Sequence, residues 1–150
     1  MTITKNDYML TWASLVQAGS HLPAELGQHL QVELGLSLAE QDLLKQLMLG
    51  GGEQKLSELS QRIGLSKAGV TKMMDRLQKA GFAKRVPSKT DRRVIMARLT
   101  KRGATVLTRS FELLGLWVEA NFRQLLDDNQ LLALQDALQA LLKGQNRRES

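Results

Sequence analysis

One short segment, LSELSQRIGLSKAGVTKMMDRL (residues 56–77), constrains the fold more than any other part of the chain. Within it a small residue, Ser60, is followed four positions later by Gly64, and Val70 comes six positions after that glycine. The small side chain allows two helices to approach closely, the glycine accommodates a tight turn, and the valine anchors the second helix to a core. This spacing predicts a helix-turn-helix.

The second helix of this motif is expected to begin after Ser66, to end at Gly81 and to be amphipathic. Its predicted inward stripe consists of Val70, Met73, Met74 and Leu77. Small, hydroxyl and basic side chains occupy the other faces: Lys67, Ala68, Thr71, Lys72 and Arg76. Such side chains suit the major groove of DNA, where base edges and phosphates must both be reached. A solvated helix in an ordinary bundle is the alternative interpretation.

The periodicity changes after Gly81. Residues 82–86 and 94–99 are short runs with β-branched side chains, separated by a loop that contains Pro87, so a β-hairpin is predicted. A helix-turn-helix followed directly by a hairpin is a winged helix, and residues 88–93, SKTDRR, would form the tip of the wing. The cations of this tip could reach a minor groove and its flanking phosphates.

Positive charge is concentrated in the middle third of the chain. Residues 53–103 hold 14 Lys and Arg against 4 Asp and Glu, a balance of +10, whereas the net charge of the whole chain is only +6. Clustered cations attract polyanions, usually nucleic acid and less often an anionic membrane surface. The charge distribution and the predicted wing therefore favour the same ligand, DNA.

The segments before the motif are predicted to be helical. Residues 8–17 form a short amphipathic segment. Ser20 is then expected to cap a separate helix that has Pro23 in its first turn and ends near Gly35.

A further helix is predicted from Ser37, which forms a capping-box pattern with Glu40. The three glycines at 50–52 are expected to end this helix and to act as a linker. Ser57 is then expected to cap the first helix of the helix-turn-helix.

Two leucine-rich helices are predicted to follow the wing. Thr100 is expected to cap the first, and Asp127 and Asp128 to separate it from a second that ends at Gly144. Leucines recur in the second helix at near-heptad spacing, at Leu131, Leu134, Leu138 and Leu141. This apolar surface exceeds what a compact winged helix can cover, so a second copy of the chain is the expected partner. The alternative is that these leucines close the core of a monomer.

Little in the sequence supports catalysis or metal binding. Cysteine is absent, which excludes disulfides and thiolate ligands. His21 and His29 lie eight residues apart and are interpreted as structural or solvated histidines, not metal ligands, and the glycines at 50–52 do not precede the Lys-Ser/Thr of a phosphate-binding loop. We therefore expect no enzymatic activity, no cofactor and no metal site.

The sequence also carries no sign of a membrane protein. No apolar stretch approaches the roughly 18 residues that a membrane span needs. The first residues lack the basic region and apolar run of a signal peptide. A cytoplasmic protein without membrane contact is expected.

Residues 36–103 resemble the MarR family of bacterial winged-helix transcription regulators. The most specific element is the Asp-x-Arg wing signature, Asp91-Arg92-Arg93, with the Leu-Thr and basic-Gly ending of Leu99-Thr100-Lys101-Arg102-Gly103. The flanking helices match the family in placement and length. The resemblance implies a mainly α fold with a minor β component: a winged helix-turn-helix with flanking dimerisation helices, in an obligate homodimer. It implies a single domain over 1–150, with a DNA-binding lobe at 36–103 and dimerisation helices at 5–34 and 104–144.

The resemblance also assigns roles to residues. Recognition-helix contacts fall on Ser66, Lys67, Ala68, Thr71, Lys72 and Arg76, although Gly69 replaces the Ser or Thr common at its position. In the wing, Arg93 would enter the minor groove, Asp91 would brace it, and Arg92 would contact phosphate, with Lys89 nearby. For Arg76 the alternative is a structural ion pair with Asp75.

The implied function is sequence-specific regulation of transcription, by repression more than activation, at a pseudo-palindromic operator with half-sites about 10 base pairs apart. A small phenolic or anionic aromatic compound is the implied effector. Candidate residues for its site are Trp12, His21, Met48 and Trp117, for each of which core packing is the competing interpretation. Two rivals are a winged-helix module that binds proteins, and a binder of RNA or membrane surfaces. Neither rival accounts for both the +10 segment and the helix-turn-helix.

Overall fold

The computed structural model describes residues 2–91 and 93–146, with side chains through residue 144. The elements follow the order α1 (Lys5–Leu34), α2 (Leu38–Leu49), β1 (Glu53–Lys55), α3 (Leu56–Arg62), α4 (Lys67–Lys79), β2 (Ala83–Pro87), β3 (Ile95–Leu99), α5 (Lys101–Leu125) and α6 (Asp128–Asn146). The predicted mainly helical winged helix-turn-helix is confirmed. None of the helices in the described ranges is both long enough and apolar enough to span a membrane.

The chain divides into two compact units, Met1–Leu113 and Leu114–Ser150. The first unit contains α1 to α4, the three strands and the first half of α5, and it holds one cluster of buried apolar side chains. The predicted inward stripe of α4 is confirmed, because Val70, Met73, Met74 and Leu77 all belong to that cluster. Burial of this stripe fixes which face of α4 remains exposed.

The helix start predicted at Ser20 is wrong. A single helix, α1, runs for 30 residues with Pro23 inside it, and its N-cap is Thr4, whose side chain accepts a hydrogen bond from the Asp7 amide. Ser20 does not cap, since its hydroxyl donates to the carbonyl oxygen of Val16 at 2.8 Å, within the same helix. A proline inside a helix lacks the backbone N–H that would donate to the preceding turn. In so long a helix the other backbone hydrogen bonds are sufficient to keep the helix continuous.

The helix-turn-helix forms as the spacing predicted. Gly64 has a φ of 65°, a left-handed conformation that favours glycine. Ser60 closes the same turn, because its hydroxyl donates to the carbonyl oxygen of Leu65 at 2.7 Å. The predicted cap at Ser57 is wrong: α3 begins at Leu56, and its N-cap is Lys55, which makes no side-chain capping bond.

The helix before the motif also matches its prediction. Ser37 is the N-cap of α2, and its hydroxyl and the Glu40 carboxylate form the expected capping box. Leu43, Leu44 and Leu47 of this helix are fully buried in the core of the first unit.

The predicted hairpin is confirmed as part of a larger antiparallel sheet. Its strands β2 and β3 pair Arg85 with Ala97 and Pro87 with Ile95. A third strand, β1, pairs with the other side of β3, so β3 lies at the centre. The glycines before β1 turn the chain, with φ of 81° at Gly51 and 86° at Gly52, and do not form a linker.

The strand β1 escaped prediction because its sequence carries no strand signal. Its three residues, EQK, include no apolar side chain, and a run this short has no periodicity to detect. The segment is extended because β3 offers an unpaired edge to it.

In the second unit, the predicted break before α6 is confirmed. Asp127 Oδ1 accepts a hydrogen bond from the Gln130 amide at 2.9 Å, and Gln130 Oε1 accepts one from the Asp127 amide at 3.0 Å. The leucines of α6 are not buried within one chain: Leu131 is 41%, Leu134 39% and Leu141 57% exposed. This exposure contradicts the alternative that they close the core of a monomer.

Candidate nucleic-acid interface

The side chains predicted to contact DNA lie on the exposed side of α4. Lys67, Ala68, Thr71, Lys72 and Arg76 are all exposed, opposite the buried stripe. Ser66 precedes them as the N-cap, and its side-chain oxygen accepts a hydrogen bond from the Gly69 amide at 3.1 Å. The helix therefore presents this set to solvent as one surface.

The start of α4 is suited to an anion. Its first turn carries no acidic residue, and the N-terminus of a helix has a partial positive charge and free amide groups. Lys67 adds a full positive charge at the same end. A phosphate of a nucleic acid is an anion of the size and charge that such a position attracts.

Gly69 replaces the Ser or Thr that the resemblance leads us to expect at this position. A Cβ atom at this residue would lie 3.3 Å from Ser66 Oγ, which is tighter than most real Cβ contacts. The glycine therefore suits the close capping contact of Ser66, and it offers no hydroxyl for DNA.

Arg76 is held from the side of α2. Its Nε lies 2.9 Å from Oε1 of Glu40, whose side chain is only 7% exposed, whereas that of Arg76 is 58% exposed. The other oxygen, Glu40 Oε2, accepts hydrogen bonds from the amide and hydroxyl of Ser37. The alternative ion pair between Arg76 and Asp75 is wrong, because the Asp75 carboxylate pairs with Arg85 at 2.7 Å.

Arg85, on β2, is a residue of this surface that the sequence did not identify. Its guanidinium reaches three groups on α4: the Asp75 carboxylate at 2.7 Å, the Thr71 carbonyl oxygen at 2.9 Å and the Gln78 side-chain oxygen at 3.5 Å. No local pattern links these residues, since the arginine belongs to a strand and its acceptors to a helix. Only the packing of β2 against α4 brings them together.

The wing tip is a turn closed by its own polar groups. The Ser88 amide donates to the Val94 carbonyl oxygen, and the Val94 amide to the Asp91 carbonyl oxygen, both at 2.9 Å. The Asp91 carboxylate accepts a hydrogen bond from the backbone amide of Arg93 at 2.9 Å. Asp91 thus braces the turn through the backbone of Arg93.

Two of the three cations predicted for the wing tip can be placed. Lys89 and Arg93 are both exposed. Arg92 lies outside the described residues. The contacts of all three with DNA stay a prediction.

The Leu-Thr-basic-Gly ending anchors the sheet to α5. Thr100 Oγ1 accepts a hydrogen bond from the Gly103 amide at 2.9 Å, and its hydroxyl lies 2.7 Å from the Gly81 carbonyl oxygen. A Cβ atom at Gly103 would lie 1.9 Å from the carbonyl oxygen of Phe82, so this crossing requires glycine. The Arg102 guanidinium covers the ring of Phe82, 5.5 Å from its centroid. These residues act through packing.

The four residues predicted for an effector site are distributed over three helices. Trp12 is 62% exposed and His21 is exposed, both on α1, and Met48 of α2 is 41% exposed. Trp117 of α5 is half-buried. Core packing is wrong for Trp12, His21 and Met48, and the role of all four residues in ligand binding stays a prediction. Across the residues that the structure describes, no three or more His, Cys, Asp or Glu side chains are grouped to hold a metal ion.

Comparison with known proteins gives one family and one fold. The family model of the MarR family matches residues 36–95. An uncharacterised HTH-type transcriptional regulator of Bacillus subtilis (strain 168), YfiV, is 33% identical over 95 residues, which cover 56% of this chain and 59% of the relative. A second regulator of that strain, YkoM, is matched over 60% of its length. The chain thus spans about three-fifths of the curated relatives it matches.

Solved structures resemble nearly the whole chain. Sco3205, a MarR family transcriptional regulator from Streptomyces coelicolor in complex with DNA, has a TM-score of 0.75 at 23% identity, covering 96% of this chain and 90% of that one. The organohalide-sensing regulator RdhR-CbdbA1625, in its 2,4-dichlorophenol-bound form, has a TM-score of 0.72 at 17% identity, covering 96% and 86%. Likeness at this level of identity establishes the winged-helix fold.

Proposed function

Because residues 36–95 match the family model of the MarR family, we propose that this protein is a sequence-specific regulator of transcription that binds double-stranded DNA. It acts most simply as a cytoplasmic repressor that a small-molecule ligand releases from its DNA site. The observation that carries the proposal is the exposed face of α4, free of acidic residues in its first turn and packed beside a cationic hairpin. A segment with a charge balance of +10 surrounds this face.

In the proposed complex, α4 enters the major groove and the wing reaches the adjacent minor groove. Ser66, Lys67 and Thr71 lie on the first two turns of α4, where base edges and phosphates are close. Lys72 lies where a phosphate contact is expected. Arg93 extends from the wing tip, and the hydrogen bond from its amide to Asp91 orients the backbone at that residue.

A homodimer is part of the proposal, since each unit exposes large apolar side chains. In the second unit, α5 and α6 form an apolar groove of about 500 Å³ that Val118, Phe122 and Leu131 help to line. In the first unit, Tyr8 and Trp12 of α1 are more than 60% exposed. A second copy of the chain would cover such surfaces and would present two recognition helices to a pseudo-palindromic operator, with half-sites about 10 base pairs apart.

Ligand release is the other part of the proposal. The RdhR-CbdbA1625 structure holds a phenolic compound, and a compound of that class, or an anionic aromatic, is the proposed effector here. Binding would favour a form in which the two recognition helices are spaced differently, and a ligand can shift the balance between the two forms only by the difference between its affinities for them. Trp12, His21, Met48 and Trp117 are the proposed candidates for its site.

The competing function is a winged-helix module that binds another protein without specific DNA recognition. It predicts no preference among duplex sequences. Selection of bound duplexes from a random pool by the purified protein separates the two. Recovery of a two-fold symmetric motif supports the regulator, and recovery of random sequence removes it. Repeating the selection with phenols or aromatic acids tests for an effector, which should lower recovery of that motif.

Two substitutions then test the assigned contacts on the recovered duplex. Arg93→Ala should weaken binding by roughly 1–3 kcal/mol. Lys72→Ala should lower the slope of log affinity against log salt by about 1, because one phosphate contact is lost. Lys143→Ala, on α6, is the matched control and should change neither quantity. Unchanged affinity of Arg93→Ala would remove the wing assignment.

A further inference from the structure

One guanidinium joins the wing to the recognition helix. The three acceptors that Arg85 contacts, Thr71, Asp75 and Gln78, are spaced so that they share one face of α4. The Arg85 amide also donates to the Gln78 side-chain oxygen, at 3.4 Å. Both the backbone and the side chain of one β2 residue are therefore bound to two turns of α4.

The chemistry of these contacts requires arginine. A planar guanidinium carries several donors in a fixed geometry, so it can bind a carboxylate and a carbonyl oxygen at the same time. A lysine ammonium has the same charge, but it is a single point on a flexible chain. Arg85→Lys would keep the charge of the wing and lose this geometry.

The position of Arg85 distinguishes it from the cations that face solvent. Its side chain is 26% exposed and lies against α4, whereas the neighbouring Lys84 is exposed. Alternate side chains of a strand point to opposite faces, so the two cations leave β2 in opposite directions. The guanidinium of Arg85 donates its hydrogen bonds to groups of α4.

On its other flank α4 is held independently. Arg76 pairs with the buried carboxylate of Glu40 on α2, and the apolar stripe of α4 lies in the core. Loss of the Arg85 side-chain contacts would therefore leave α4 in place and would remove the link between the outer face of α4 and the middle of β2.

We propose that Arg85 is a positioning residue that sets the angle between the recognition helix and the wing. This inference rests on the proposed function. A protein that reads the major groove with α4 and the adjacent minor groove with the wing must hold both at one fixed geometry. Affinity for a specific operator depends on that geometry, because base contacts are made in both grooves. Affinity for a random duplex depends on charge and is insensitive to it.

The test compares two duplexes of equal length, the one recovered by selection and a random one. Arg85→Lys should lower affinity for the selected duplex about tenfold, which corresponds to about 1.4 kcal/mol, and leave affinity for the random duplex unchanged. Asp75→Asn should cause a similar loss, and because its carboxylate is 63% exposed, it serves where Arg85→Lys does not fold. Lys84→Gln is the matched control and should act on both duplexes alike.

A second comparison separates positioning from a general loss of structure. In an Arg93→Ala background, Arg85→Lys should change affinity for the selected duplex less than about twofold, because the wing contact that it would misplace is already gone. Full additivity with Arg93→Ala would overturn the inference. Wild-type affinity of Arg85→Lys for the selected duplex, or equal losses on both duplexes, would also overturn it. A wild-type protein without preference between the duplexes would instead remove the proposed function.

Discussion

At the scale of single residues, Gly103 marks the closest approach between the sheet region and α5. The backbone of α5 passes so near the Phe82 carbonyl oxygen that a Cβ atom would come within 1.9 Å of it. The Gly103 amide also donates to Thr100, whose hydroxyl reaches back to the end of the turn after α4. A glycine that looks like an unfavourable helix residue is therefore required by packing.

Gly103→Ala should destabilise the protein by about 1–3 kcal/mol, because backbone, which cannot rotate away, would have to move. The measurement is the free energy of unfolding in urea. Gly144→Ala, in α6, is the control: a Cβ atom there meets nothing within 4 Å, so the change should stay below about 1 kcal/mol. Equal effects of the two substitutions would contradict this account.

Arg76 has a structural role that competes with its predicted role at DNA. Arg76→Ala would leave the buried Glu40 Oε1 without its partner, and should cost about 1–3 kcal/mol of unfolding free energy. The matched control is Arg123→Ala, which breaks an exposed pair with Glu119 and should cost less than about 0.5 kcal/mol. Unchanged stability of Arg76→Ala would leave DNA contact as the better assignment.

At the scale of elements, α1 begins with a capping box that titrates. The Thr4 hydroxyl, and then the Thr4 amide, donate hydrogen bonds to the Asp7 carboxylate, and these bonds lower the pKa of Asp7. A lowered pKa in the folded state means that the ionised carboxylate stabilises the cap. This contribution is present above the ordinary pKa of an aspartate, and it is lost as the pH falls through the lowered value.

Thr4→Ala removes the hydroxyl hydrogen bond, which lowers the pKa of Asp7 more than the amide bond does, so this pKa should move up toward its ordinary range. Carboxyl-carbon NMR titration measures it directly. In the wild type, the first-turn amides of α1 should lose protection from exchange, relative to the intrinsic exchange rate at each pH, as the pH falls through the lowered pKa of Asp7. Thr105→Ala, a similar change in α5, should leave the Asp7 titration where it is in the wild type. An unmoved pKa in Thr4→Ala would assign the shift to another cause.

At the scale of the whole molecule, the exposed leucines of α6 bear on the assembly. Leucines at these positions have no core to enter within a single chain, and large exposed apolar surfaces mark sites of association. A protein of this kind is expected to persist as a dimer, at twice the 16.7 kDa mass of the chain.

Replacing Leu134 and Leu141 together by glutamate should give a species of 16.7 kDa in sedimentation equilibrium, because burying two carboxylates against apolar side chains is costly. Leu49→Glu is the control, since this residue of α2 is 71% exposed and lies outside the helices assigned to the dimer. A dimer that survives the double substitution would contradict the assignment of α6 to the interface.

The predictions that succeeded from sequence depended on neighbours along the chain. The spacing of Ser60, Gly64 and Val70 sufficed for the helix-turn-helix, and Ser37 with Glu40 for a capping box. The recognition face followed from helical periodicity, which depends only on the order of apolar residues. Each of these signals lies within ten positions of the sequence, so local physics decides it.

The sequence predictions that were wrong or missing concern residues whose structure depends on contacts with segments far away in the chain. Ser20 and Pro23 favour a helix start, yet α1 continues through both. The residues of β1 have no strand preference, and they pair because β3 supplies an edge. Arg85 and Glu40 acquired their roles from side chains on other elements. Short-range order of residue types was thus enough for the helices, the hairpin and the face of α4. The third strand, the unbroken first helix and the ion pairs that hold α4 arise from contacts between segments far apart in the chain, which no short window of sequence contains.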